Sequence, residues 1–238
     1  MVSVSESLND LQAFLAKTQL WQGLSSDCID LVAKIAVLKT YGKGELIFSE
    51  GEAGRGFFII RSGRVKVFKV SPDGKEQILH MFGAGEHFAE VAALDGQCFP
   101  ASAAALESTT VLFFSREAFV NFLQHHPTLA INVLASFARR LRQFTQLIEA
   151  LSLKAVPCRL AAYLLALSEQ ANHANTINLD LTKGQLAAVI GTIPETLSRV
   201  FLKLSQEGLL ELNGSQITIL DRQQLKCLSL GGKISDGR

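Results

Sequence analysis

With 238 residues and 48% hydrophobic side chains the chain can bury two cores, and a formal net charge of only +1 argues against a protein that holds nucleic acid by bulk electrostatics. The longest apolar runs, FFII and VLFF, fall far below the ~20 residues of a membrane span, and residues 1–10 lack the basic start of a leader peptide, so a cytoplasmic protein with no membrane partner is expected. Four cysteines, Cys28, Cys98, Cys158 and Cys227, are scattered without C-x-x-C spacing, which argues against a zinc knuckle or redox pair and leaves them as small core residues.

Residues 6–37 carry two amphipathic helical patterns, Leu8, Leu11, Phe14 and Leu15, then Ile29, Leu31, Val32 and Ile35, on either side of a break at 21–25. From 38 to 115 the pattern changes to short apolar runs cut regularly by glycine. Alternation over 64–70, followed by Ser71-Pro72-Asp73-Gly74, reads as a β-hairpin. Strands of this length and spacing imply an antiparallel barrel or jelly roll. Phe82, Phe88, Phe99, Phe113 and Phe114 crowd its later part with Val91, Leu94 and Val111, while His80, Met81 and His87 lie on strands around them. The cluster reads either as an apolar pocket or as packed core.

After a helix holding Phe119, Phe122 and Leu123 and a turn at His125-His126-Pro127, residues 128–153 form one long predicted helix. Its apolar residues Ala130, Leu134, Phe137, Leu141, Phe144, Ile148 and Leu151 recur at alternating intervals of four and three. That heptad predicts a coiled coil between two copies of the chain, with Leu134, Phe137, Leu141, Phe144, Ile148 and Leu151 at the seam. A connecting helix over 156–172, a polar break and a strand-like INLDL follow, and 231–238 reads as a disordered tail.

The stretch 181–221 carries the most specific signals. Thr182 caps a first helix with Gln185 three residues on, and Gly191 ends it. Thr192 and Glu195 form a second candidate capping box, with Pro194 in the first turn of a second helix. There Leu197, Val200, Phe201 and Leu204 share one face, and Glu195, Ser198 and Arg199 the opposite one. Asn213-Gly214 between apolar runs predicts a type I′ hairpin. Helix, turn, helix and wing make a winged helix-turn-helix, a fold that reads double-stranded DNA in the major groove.

Pro194-Glu195-Thr196-Leu197-Ser198-Arg199 resembles the recognition helix of the family of the cyclic-AMP receptor protein and the fumarate and nitrate reduction regulator, and the barrel segment resembles that family's sensor domain. The resemblance covers nearly the whole chain. It implies an α+β protein: an N-terminal β jelly roll of the cyclic-nucleotide-binding type over 1–127, a dimerisation helix over 128–153 and a winged helix-turn-helix over 154–230. It implies base contacts from Glu195, Ser198 and Arg199 on a TTGA-type half-site, backbone contacts from Thr182, Lys183 and Thr196, and RNA polymerase as a further partner. Chemistry agrees: arginine can donate twice to guanine, and a carboxylate can accept from cytosine.

The resemblance also directs attention to an effector pocket near Phe82, Phe88, Glu90 and Phe144. Where cyclic-AMP-binding members carry Gly-Glu and Arg-Ser, this chain has Ala89-Glu90 and Pro100-Ala101, and Phe144 replaces an adenine-contacting threonine. Cyclic AMP is therefore not expected. The clustered N-terminal cysteines of an iron–sulfur sensor are missing as well. The Phe88-Ala89-Glu90, Ser152-Leu153-Lys154 and Glu-x-x-Ser-Arg segments resemble the haem-dependent, nitric-oxide-responsive branch, for which His80 and His87 are the candidate ligands; an unidentified small effector or a packed interior are the alternatives. No nucleophile–base pair, phosphate loop or cupin-like metal set stands out, so no enzyme is expected. A sensing module that acts through a protein partner is the rival to a DNA-binding regulator.

Overall fold

A computed structural model describes residues 8–232. Residues 1–7 and most of the predicted tail, 233–238, lie outside the described residues. The chain divides into two compact units, one of residues up to Ser71 with Leu79–Arg142, the other of Pro72–Ile78 with residues from Gln143 onwards.

The first unit opens with α1 (Leu8–Leu15), a short 3-10 turn (Gln19–Trp21) and α2 (Ser26–Ile35), whose break falls where the sequence places it. Eight strands follow: β1 (Val37–Tyr41), β2 (Leu46–Phe48), β3 (Gly56–Ser62), β4 (Val65–Val70), β5 (Glu76–Phe82, of which the residues up to Ile78 are counted with the second unit), β6 (His87–Phe88), β7 (Ser102–Ala105) and β8 (Thr109–Ser115). They form two four-stranded sheets in the orders β1-β8-β3-β6 and β2-β7-β4-β5, the jelly roll that the strand spacing implies. Between β6 and β7 lies the short helix α3 (Glu90–Asp95). Helix α4 (Arg116–His125) is capped by Ser115, and α5 (Pro127–Leu153) follows it directly.

Two apolar clusters fill this unit. In one, Trp21 packs its ring 5.6 Å from Phe114 and 6.2 Å from Phe122, with Phe57, Phe119, Leu129 and Val133 around it. Gly56 is required there, because a Cβ would lie 2.1 Å from the Phe114 carbonyl oxygen. In the other, Phe48, Phe58, Phe82, Phe88 and Phe99 stack inside the barrel, the closest rings 3.8 Å apart. The expected Phe cluster is thus split. Phe114 faces the tryptophan side while its neighbour Phe113 packs on the other cluster, since successive strand residues face opposite sides of a sheet; on helix α3 Leu94 packs on the tryptophan side and Val91 is exposed.

The second unit holds α6 (Val156–Gln170), β9 (Thr176–Asn178), α7 (Lys183–Ile190), α8 (Pro194–Gln206), β10 (Leu210–Asn213), β11 (Gln216–Ile219) and α9 (Arg222–Ser229). Leu160, Leu164, Leu186, Leu197, Leu204, Leu209 and Leu225, all at most 1% exposed, form its core. The wing is a three-stranded sheet in the order β10-β11-β9. Arg222 locks α9 to the end of α6, donating to Ser168 Oγ and to the carbonyl oxygens of His173 and Ala174.

Candidate functional site

Helix α7 begins as the sequence predicts: Thr182 Oγ1 accepts from Gln185 N at 3.2 Å and Gln185 Oε1 accepts from Thr182 N at 2.9 Å, a complete capping box. Gly191 ends it in a left-handed conformation at φ +74°. The second predicted capping box does not form. Helix α8 starts one residue later, with Ile193 at the N-cap and no side-chain cap, because Pro194 supplies the helical φ of the first turn and Thr192 is drawn under α7 by its N–H bond to Ala187. Glu195 is therefore free of the capping role that competed with the base-contact role expected of it.

The two faces of α8 separate cleanly. Leu197, Val200, Phe201 and Leu204 are buried, whereas Glu195, Ser198 and Arg199 are exposed. Glu195 and Arg199 make no ion pair with each other or with any described residue, although their i, i+4 spacing would allow one. Ser198 differs: its hydroxyl donates to the Pro194 carbonyl oxygen at 2.9 Å, leaving it only acceptor capacity outward. Thr182 and Lys183 are exposed at the start of α7, and Thr196 is half-buried. The wing turn is shifted from the expected position: Asn213 pairs with Gln216, so the loop residues are Gly214 and Ser215, and only Gly214 has positive φ (+61°). That is the II′ pattern, which needs glycine at the first loop position alone.

The start of α8 is held from behind. Gly191 lies so close to the last turn of α5 that a Cβ there would meet Leu151 Cδ2 at 2.3 Å. Arg159 donates to the Leu151 carbonyl oxygen at 3.2 Å and to the Gly191 carbonyl oxygen at 3.1 Å, joining α5, α6 and the helix-turn-helix turn. Sequence reasoning missed Arg159. Its one clue is a lone cation on the apolar side of a helix. Leu151, expected at a dimer seam, is half-buried against this turn. Phe137 is likewise half-buried, against the tryptophan cluster. Leu134, Leu141, Phe144 and Ile148 are 65%, 69%, 41% and 65% exposed and form an uncovered apolar stripe with Ile131.

The barrel holds a second polar site. Glu90 is fully buried at the start of α3, and its Oε1 accepts from the guanidinium of Arg140 on α5. Arg140 also donates to the His87 carbonyl oxygen and lies 5.0 Å over the Phe82 ring. His87 Nε2 is 3.0 Å from Ser136 Oγ, one turn before Arg140, and 3.9 Å from Glu90 Oε1. Burial pushes the His87 imidazole down to about 4, against the pull of Glu90 and with help from Arg140 and Arg139. His80 is also lowered, by burial, and its ring meets Phe82 edge-on at 4.4 Å. Phe82, Phe88 and Glu90 are thus brought together, while Phe144 sits on the exposed stripe of α5.

The arrangement around His87 does not favour a haem: its Nε2 is engaged with Ser136 Oγ, and stacked phenylalanine rings fill the interior beside it. The barrel residues do not fit a cyclic phosphate either. Pro100 is exposed with its carbonyl oxygen accepting from Lys69, Lys69 is itself paired with Glu50, and Ala101 is buried and apolar.

Residues 38–126 match the cyclic nucleotide-binding domain family and residues 158–228 the Crp-like helix-turn-helix domain family. The cyclic AMP receptor protein of Thermus thermophilus is 32% identical over 89% of this chain and 97% of its own. This chain belongs to the Crp/Fnr family. The transcriptional activator protein FnrA of Stutzerimonas stutzeri is 31% identical over 85% of this chain and 83% of its own. The structure of FixK2 from Bradyrhizobium japonicum superposes with a TM-score of 0.70 at 26% identity, covering 82% of this chain and 97% of that one. As a Crp/Fnr protein the chain is a transcription regulator and not an enzyme, with a DNA-binding helix-turn-helix and an effector-binding domain. Among the described residues no helix is long and apolar enough to cross a membrane.

Proposed function

We propose that this Crp/Fnr regulator works in the cytoplasm as a homodimer, reads a TTGA-type pseudo-palindrome and acts on transcription through RNA polymerase. The observation that carries the reading is the outer face of α8. Glu195 and Arg199 stand exposed one turn apart, unpaired, on a helix whose other face is buried and whose start is held by Arg159 and Gly191. Arg199 donates to guanine O6 and N7, Glu195 accepts from cytosine N4, and Ser198 accepts through its remaining lone pairs. Thr182, Lys183 and Thr196 contact phosphates and set the register. The stripe of Leu134, Leu141, Phe144 and Ile148 pairs with its copy, which sets the two reading helices roughly 34 Å apart.

Regulation comes from a small effector in the barrel that is not a cyclic nucleotide and does not act through haem. The sites that would hold a cyclic phosphate carry Pro100 and Ala101, and His87 is committed to Ser136. Such an effector shifts the DNA-competent arrangement only by binding it more tightly than the other. The test is anisotropy of a labelled TTGAT-N4-ATCAA duplex. Arg199→Ala should weaken binding by about 1–3 kcal/mol and abolish the preference for guanine at its position. Unchanged affinity and preference would shift the reading to a module that acts through a protein partner.

A further inference from the structure

The cysteines are scattered in the sequence, but the fold gives one of them a base. Cys28, in the first turn of α2, is half-buried, and its Sγ lies 3.6 Å from Nδ1 of His126, 98 positions away in the turn between α4 and α5. At the N-cap of α2 the Ser25 hydroxyl donates to the same sulfur at 3.2 Å. The imidazole is itself held in place: its ring stacks on Phe122 with centroids 4.6 Å apart and planes at 25°, and Phe122 meets Trp21 at 6.2 Å. The other cysteines differ, Cys98 and Cys227 being exposed and Cys158 buried.

We propose that Cys28 and His126 form a hydroperoxide-reactive site, in which the thiol is oxidised to a sulfenic acid with His126 as its base. Nothing in this chemistry depends on what the barrel binds. A thiol attacks as its thiolate, of which a free cysteine carries only about a few per cent at neutral pH. His126 is within reach of the sulfur to take that proton, and the Ser25 hydroxyl and the start of α2 both favour the negative charge left behind. The thiolate sulfur then attacks one oxygen of the hydroperoxide. The S–O bond forms, the O–O bond breaks, and the leaving oxygen recovers the proton from the imidazolium and departs as water or an alcohol. Sulfur loses two electrons, the peroxide gains them, and the imidazole returns to its starting state. A half-buried sulfur selects for small oxidants of this kind. Because His126 immediately precedes α5, the added oxygen bears on the first turn of the long helix.

Hydrogen peroxide applied to the reduced full chain tests this, with dimedone to trap sulfenic acid and peptide mass spectrometry to read each cysteine. Exposure alone ranks Cys98 and Cys227 ahead of Cys28, whereas the thiol–imidazole pair predicts the reverse, with Cys28 trapped about tenfold or more faster. His126→Phe keeps a ring to stack on Phe122 but removes both nitrogens. It should bring Cys28 down to the rate of the exposed cysteines or below, while Cys98 and Cys227 keep theirs. Cys28 no faster than the exposed pair in the wild-type chain would overturn the proposal, as would an undiminished Cys28 rate in His126→Phe. Alkylation by iodoacetamide separates a generally reactive thiol from a peroxide site: Cys28 leading with iodoacetamide but not with hydrogen peroxide would also overturn it. The wild-type comparison needs no variant, so it decides even where His126→Phe folds poorly.

Discussion

Ala89 shows how closely a single position can be tied to its backbone. A non-glycine residue at φ +69° is strained by the contact of its Cβ with the following carbonyl, a cost of about 1–2 kcal/mol. Glycine stands there in the cyclic-AMP-binding relatives that the sequence resembles. Ala89→Gly should therefore raise stability, by about 0.5–1 kcal/mol once the greater freedom of the unfolded glycine is subtracted. The urea midpoint measures it, and a fall would show that the Ala89 methyl packs usefully. His87 makes the second residue-scale prediction. Its proton leaves near 6.5 in an unfolded chain but near 4 in the fold, so between those values the unfolded state binds more protons. The stability that the neutral imidazole contributes is complete above about pH 6.5 and is lost as pH falls toward 4, by roughly 2–3 kcal/mol. His87→Gln should flatten that part of the stability–pH curve, and an unchanged slope would place the proton uptake elsewhere. The pairing of His87 with Ser136 spans 49 residues of sequence. No local pattern announces it, and the same residue was open to a haem-ligand reading.

At the scale of elements, α5 does three jobs along one length. Its inner face gives Ser136 and Arg140 to the barrel, its last turn seats Leu151 against Gly191, and its outer face exposes Leu134, Leu141 and Ile148. The heptad was legible because seven apolar residues keep phase over 27 helical residues. The division of labour was not, since Phe137 and Leu151 fit the same period while packing within the chain. Leu141→Glu replaces a side chain that is 69% exposed in the single chain, so the fold should survive. In the dimer each copy would lose a burial worth about 1.5–3 kcal/mol and gain a charge at the seam. Sedimentation velocity should show dimers giving way to monomers at micromolar concentration, and unaltered dimers would place the interface elsewhere. The other misreadings are equally local. Pro194 sets where α8 starts, Gly214 sets the wing turn, and α9 escaped notice because Leu225 and Leu228 are its only large apolar residues on a polar helix.

For the whole molecule, the chain's order of barrel, long helix and winged helix-turn-helix was readable from three independent periodicities: glycine-punctuated strands, a heptad, and two short amphipathic helices. The exposed polar face of α8 was readable too, because exposure of Glu195 and Arg199 follows from the burial of Leu197, Phe201 and Leu204. The buried polar cluster in the barrel was not, since it depends on contacts between Glu90 and Arg140, fifty positions apart. Near-neutral charge leaves the proposed dimer with few phosphate contacts, so on this proposal affinity comes from two correctly spaced half-sites. The most direct measurement is therefore the mass and affinity of the complex on the TTGAT-N4-ATCAA duplex against a duplex with one half-site scrambled. Two chains per intact duplex, with affinity falling at least about a hundredfold on the scrambled one, is the predicted result. One chain per duplex, or equal affinity for both, would contradict the account.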